Sequence, residues 1–149
     1  MTPTEVEAYL HEHIPISRAM GVRVHASDAA GVTLGAPLAP NINHRATVFG
    51  GSISAVAILA AWTWLHITLR AAGQPSRLVI QGNRIDYLAP ITGEFEARCA
   101  VPEPATLGKF LLTLRRRGKA RLTLAATLTA QGREVATFTG DYVALRGEE

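Results

Sequence analysis

Between residues 41 and 51 the chain reads Asn-Ile-Asn-His-Arg-Ala-Thr-Val-Phe-Gly-Gly, and an uncharged run over residues 52–69 follows at once. A polar loop therefore enters a glycine pair that opens a long apolar helix. The first N–H groups of a helix have no intrahelical partner, and the helix dipole adds partial positive charge there. Such a start can hold an oxyanion or a polarised carbonyl. Gly50 and Gly51 would let a ligand come close to the backbone. Asn43 can bond a water through both its carbonyl and its amide. His44 is the one group in the loop suited to base catalysis near neutrality. Its plainer reading, as that of Asn43, is structural: a surface His, and an Asn that closes a turn. Ser52 is read as a helix cap, because no G-x-S-x-G elbow surrounds it. These residue types describe acyl chemistry. Nucleotide-binding glycine motifs are absent.

The elements that must position this loop follow from periodicity and breakers. Thr2, Pro3 and Glu5 form a capping-box helix start, and Val6, Tyr9 and Leu10 give it one apolar stripe. That helix ends near His13, ahead of Pro15. Residues 21–27 and 31–36 read as strands joined by a turn at Ser27-Asp28-Ala29-Ala30, and Pro37 and Pro40 end the second. The helix over 52–69 is apolar nearly all round, so a sheet must wrap it. Residues 77–87, 94–101, 109–117, 120–130 and 133–145 read as five further strands, with tight turns at Gly118-Lys119 and Gln131-Gly132. In 120–130 Leu alternates with Thr and Ala, the mark of a half-buried strand. The expected architecture is α+β with an antiparallel sheet.

Composition narrows the classes. A chain of 149 residues, 48% hydrophobic, is expected to form one domain spanning 1–149 with a substantial core. Charged residues are only 18%, which favours an oligomer interface. Cys99 stands alone, so neither a disulfide framework nor a Cys-rich metal site is expected. His11 and His13, two apart, do not share a helix face and make a poor metal pair. The start of the chain is acidic and polar and is read as carrying no secretory signal, with a reducing cytoplasm as the expected compartment. From Val48 to Leu69 there is no Asp, Glu, Lys or Arg. Gly50, Gly51, Ser52, Ser54, Thr63, His66 and Thr68 interrupt the run, so no membrane span is expected. The net charge is +3, and the densest basic run is Arg-Arg-Arg-Gly-Lys-Ala-Arg at 115–121. It reads as a solvated hairpin tip, a phosphate contact or a nucleic-acid surface. Few aromatics interleave with it, which counts against nucleic acid.

A long helix preceded by Pro40-Asn41-Ile-Asn43-His44 and Thr47-Val-Phe49-Gly50-Gly51-Ser52 resembles the hot-dog fold of acyl thioesterases. With Tyr87-Leu-Ala-Pro90 and Gly140-Asp-Tyr142-Val-Ala-Leu145, the chain is similar to the thioesterase family that also occurs fused behind GNAT acetyltransferase domains. The resemblance implies hydrolysis of acyl-CoA or an acyl-carrier thioester, with no metal or other cofactor. It implies two-fold assembly, as a homodimer or a dimer of dimers, with sites at the interface. Thr47, Phe49, Ser52, Asn83 and Tyr87 would then line the substrate, and Gly50 and Gly51 would hold the oxyanion. One departure stands out. Related thioesterases carry a carboxylate on the central helix nine residues after the position of Phe49, and here Ile58 stands there. No Asp or Glu lies on the helix at all.

Asp86, on the strand before Tyr87, is the nearest carboxylate in the motif that can replace the missing acid, from the same or a partner subunit; its plainer reading is a solvated strand residue. Asn83 and Asp86 point to opposite faces of that strand, so at most one faces the helix. Arg70, Arg84 or the run 115–121 are the candidate phosphate contacts. Trp62, Trp64 and His66 read as packing residues on the helix. The rival reading is a non-catalytic module that binds an acyl thioester, favoured by the missing carboxylate.

Overall fold

The computed structural model describes residues 1–28 and 30–147. The helix α1 (Pro3–His13) begins as its residues dictate: Thr2 Oγ1 accepts the Glu5 N–H at 3.2 Å, and the Glu5 carboxylate accepts the Thr2 N–H at 2.6 Å. A single further turn, α2 (Pro15–Ala19), follows where the sequence suggests only a stop. Strands β1 (Arg23–Asp28) and β2 (Gly31–Ala36) pair antiparallel. In their turn the Asp28 carboxylate accepts the Ala30 N–H at 2.7 Å. Ala29, also assigned to that turn, lies outside the described residues. A 3₁₀ turn at Ala39–Asn41 leads to the loop before α3 (Gly50–Ala71). Then come β3 (Ser76–Tyr87), β4 (Phe95–Cys99), α4 (Pro104–Arg117), β5 (Lys119–Ala130) and β6 (Arg133–Arg146).

The six strands form one antiparallel sheet in the order β1-β2-β4-β5-β6-β3. It wraps α3, whose Val56, Ala57, Ala60, Ala61 and Leu65 are fully buried against Leu34, Ala97, Leu124 and Tyr142 in one core. The small Ala side chains let the helix lie close to the sheet. By length and composition α3 is apolar enough to cross a membrane, but 61% of its most apolar window is buried in this core.

Residues 109–117 form a helix, not a strand. Leu107, Phe110, Leu111 and Leu114 recur at helical spacing, Pro104 occupies the first turn, and three Arg in the last turn complement the dipole. Gly118, at φ 71°, ends the helix and returns its N–H to the Leu114 carbonyl. Four strands therefore follow α3 instead of five. Arg115–117 belong to a helix end and not to a hairpin tip.

Candidate functional site

The loop before α3 closes on itself. Phe49 N donates to Asn41 O at 2.7 Å, Ile42 bridges Val48, and Asn43 N donates to Thr47 O at 2.8 Å. Asn43 fills the turn with its side chain: Oδ1 accepts the N–H groups of Arg45 and Thr47, and Nδ2 donates to Thr47 Oγ1 at 2.9 Å. That arrangement is an Asx turn, and it leaves one amide proton of Asn43 for a water. His44 stands exposed at the loop's apex. The loop is anchored from below by Asn41, only 2% exposed, whose Nδ2 donates to Met20 O and Pro37 O, both at 2.8 Å. Asn41 belongs to the motif, and its role is this anchoring one. Its position after Pro40, at the mouth of a loop that must return, is the signal for an anchoring amide.

The chain enters α3 through Phe49, in extended backbone and without a side-chain cap. Ser52 is therefore not the cap. It lies in the first turn, and its N–H reaches Phe49 O at 2.9 Å. The N–H groups of Gly50 and Gly51 precede the first intrahelical bonds and point out of the helix start. A Cβ on Gly51 would overlap the Phe49 ring, so only glycine lets that ring lie over the first turn. A Cβ on Gly50 would sit 3.3 Å from the Tyr87 hydroxyl. That hydroxyl donates to Gly50 O at 2.8 Å and ties the end of β3 to the helix start. The loop after Tyr87 is held in turn: Leu88 N donates to Val135 O, and Ile91 O accepts the Val48 N–H, both at 2.8 Å. Around the first turn Ile42 (50%), Phe49 (58%), Tyr87 (52%) and Leu88 (58%) stay exposed, an apolar rim beside N–H donors that have no backbone partner among the described residues.

The other expected residues lie elsewhere. The register of β3 shifts between Ile80 and Gly82. Beyond that bulge Asn83, Ile85 and Tyr87 share the face turned toward α3, while Arg84 and Asp86 face outward. Asp86 is held there by Arg84, with bonds of 3.0 and 3.2 Å, so in its own chain it does not face the helix. Asn83 has the right face but sits on the exposed edge strand. At the position of the missing carboxylate, the Ile58 carbonyl accepts the Tyr142 hydroxyl at 2.7 Å. Arg70 is about 30 Å along α3 from Gly50 at the usual helical rise. The run 115–121 adjoins the opposite end of the sheet, level with the start of β3. Of the candidate phosphate contacts, only Arg84 lies in the half of the sheet near the helix start. His66 is buried between the rings of Tyr9 and Trp62, at 4.9 and 4.8 Å, and His11 bonds Val22 O. Cys99 is no nucleophile: burial pushes its thiol up to about 12.

A long helix wrapped by an antiparallel sheet, entered through a glycine pair, defines the hot-dog fold of thioesterases. Residues 3–146 match the family described as "Putative thioesterase (yiiD_Cterm)", and the chain belongs to that family. Among solved structures it is similar to a Chlorobaculum tepidum TLS protein of unknown function, at 29% identity and TM-score 0.90, covering 98% of each chain. It is also similar to a Shewanella oneidensis protein described as a "putative thioesterase", at 28% identity and TM-score 0.85, covering 96% of each. A Pseudomonas aeruginosa protein described as a "Probable Thioesterase" matches at 21% identity and TM-score 0.80, covering 97% of each, and bears on the fold alone. The family supports thioester hydrolysis in general as the chemistry.

Proposed function

We propose that this protein hydrolyses an acyl thioester, carried on coenzyme A or an acyl-carrier protein, at the start of α3. The observation that carries the reading is the uncapped first turn: two glycine N–H donors open beside an apolar rim. The donors would stabilise the oxyanion as water attacks the thioester carbonyl. The rim of Phe49, Tyr87 and Leu88 would receive the acyl group. Asn43 and His44 would orient or activate the water, Thr47 holding Asn43 in place, with Ser52 and Asn83 at the margins. Hydrolysis assayed across a series of acyl-CoA chain lengths and acylated carrier proteins tests this, and release of the thiol is expected. Thioester binding without turnover would select the rival reading, a non-catalytic binding module, which the Ile58 position favours.

The working unit in this reading is a homodimer or a dimer of dimers, each chain one domain in a reducing cytoplasm. β3 forms one edge of the sheet over 12 residues, with Val79 exposed and Leu78, Ile80 and Ile85 only half-buried. The opposite edge, β1, is only 6 residues long and is interrupted by a bulge. A long, uncovered edge with apolar residues on it invites pairing with a second copy. Asp86 could then act only on a site to which another chain contributes. Light scattering at micromolar concentration is expected to return the mass of a dimer or a larger even assembly. A monomer under those conditions would overturn the assembly.

A further inference from the structure

The sheet has a notch. β4 spans 5 residues and β5 spans 12, and they pair only from Glu96↔Thr129 to Cys99↔Ala126. One further bond runs from Ala100 N to Ala125 O. Beyond it, residues 119–124 of β5 have no strand on that side among the described residues. Because Ala125 turns its carbonyl toward β4, strand alternation turns the backbone groups of Arg121 and Thr123 the same way, into the notch. Those of Ala120, Leu122 and Leu124 go to β6. The far wall is α4. Between wall and strand lies a groove of about 500 Å³, lined by Lys109, Phe110 and Thr113 from α4 and by consecutive residues Ala120 to Thr123 from β5. Lining by consecutive residues places it against the strand's edge, since a groove on either face would meet alternate ones. A second cavity of about 560 Å³ adjoins it over the outer face of the sheet: it shares Thr113, Ala120 and Arg121 and adds Arg117 and Lys119, with Val143 of β6 and Gln81 of β3.

The groove is cationic. Lys109 and Arg121 line it, Arg117 and Lys119 stand in the adjoining cavity, and the neighbouring carboxylate is Asp141, which Arg121 and Thr123 hold on the outer face. No ion pair among the described residues engages Lys109, Arg117 or Lys119. A phosphate would use the cations and leave the edge carbonyls unpaired. An extended peptide uses donors and acceptors alike. From the open strand edge and the cations together, we infer that this groove receives an extended acidic peptide segment, which adds to β5 as a short antiparallel or parallel strand. Its outward side chains meet Lys119 and Arg121, so acids belong there. Its inward ones lie over Phe110 and Leu122, so they are apolar. This inference does not depend on thioester hydrolysis.

The probe is acetyl-Glu-Val-Glu-Val-Glu-amide added to the full chain, with acetyl-Lys-Val-Lys-Val-Lys-amide as control. Only the acidic peptide is expected to bind, and its binding should slow hydrogen exchange at the amides of Arg121 and Thr123. The double variant Lys109→Glu with Lys119→Glu should weaken it about tenfold or more. Thr123→Pro removes one notch-facing donor without taking a backbone bond to β6, and should weaken binding, whereas Thr123→Val, which loses only the hydroxyl bond to Asp141, should not. Absence of binding overturns the inference. So does binding that leaves the Arg121 and Thr123 amides unchanged. Displacement of the peptide by pyrophosphate, or salt-steep binding of a single-stranded oligonucleotide in its place, would show an anion surface instead and also overturn it.

Discussion

Gly51→Val is expected to remove about 10²–10³-fold of turnover while the protein still folds. The Cβ it adds would overlap the Phe49 ring, with further ring atoms at 2.9 and 3.1 Å. Valine's second γ-carbon leaves little rotameric escape in a helix. Either the ring is driven off the first turn or the new side chain covers the Gly50 and Gly51 donors. In both cases a thioester carbonyl loses its approach, and loss of an oxyanion donor costs about 10²–10³-fold. Folding changes much less. Valine has a better helix propensity than glycine by a few tenths of a kcal/mol, and Phe49 is exposed and free to turn outward. The checks are kcat for an acyl-CoA that the parent hydrolyses and the thermal midpoint of the same preparation. A folded Gly51→Val protein with parental kcat removes the oxyanion site from the start of α3. Gly51→Ala, smaller by two methyl groups, should fall between.

Asn43→Ala is expected to lower kcat about 10²-fold and to cost about 1–2 kcal/mol of stability. Both effects arise from one side chain that makes three bonds inside the turn. Thr47→Val separates them. It removes only the hydroxyl that accepts from Asn43 Nδ2 and leaves the Oδ1 contacts to the backbone. If Asn43 acts by shaping the loop through Thr47, this variant reproduces most of the loss. If Asn43 acts on water, Thr47→Val stays near the parent. KM should change little in either, because ground-state binding rests on the acyl and carrier groups. His44→Ala is the paired measurement. His44 stands at the apex of this loop, and as the base it would put a step in the pH–rate profile that the variant lacks. An unchanged profile with full activity assigns His44 to the surface.

Much of this arrangement was legible in short stretches of sequence. The capping box of α1, the stop at Gly31–Ala36 before Pro37, and the in-out alternation of β5 all follow from neighbours within a few residues. That a long helix follows the polar loop was equally plain, because an apolar run with no charge has few other uses, but its first turn lies at Gly50 and Gly51 and not after a Ser52 cap. Lys109–Arg117 shows the limit. Phe-Leu-Leu-Thr-Leu suits a strand or a helix, and the decision lay in Pro104, Gly118 and the 3,4 spacing of Leu107, Phe110, Leu111 and Leu114 taken together.

What the chain determined by itself is therefore local: which segments turn, which face of each is apolar, and where a helix leaves its first donors free. Tertiary structure decided what meets what. A one-residue bulge near Gln81 set which side of β3 faces α3, turning Tyr87 toward Gly50 and Asp86 away. Antiparallel register put the basic run at the far end of the sheet from Gly50, and the short β4 opened the edge of β5 beside α4. The physical reason is the range of each signal. Periodicity and capping act over one or two turns of chain, whereas register and strand order are settled by pairings between residues far apart in sequence, and a single inserted residue reverses every face beyond it.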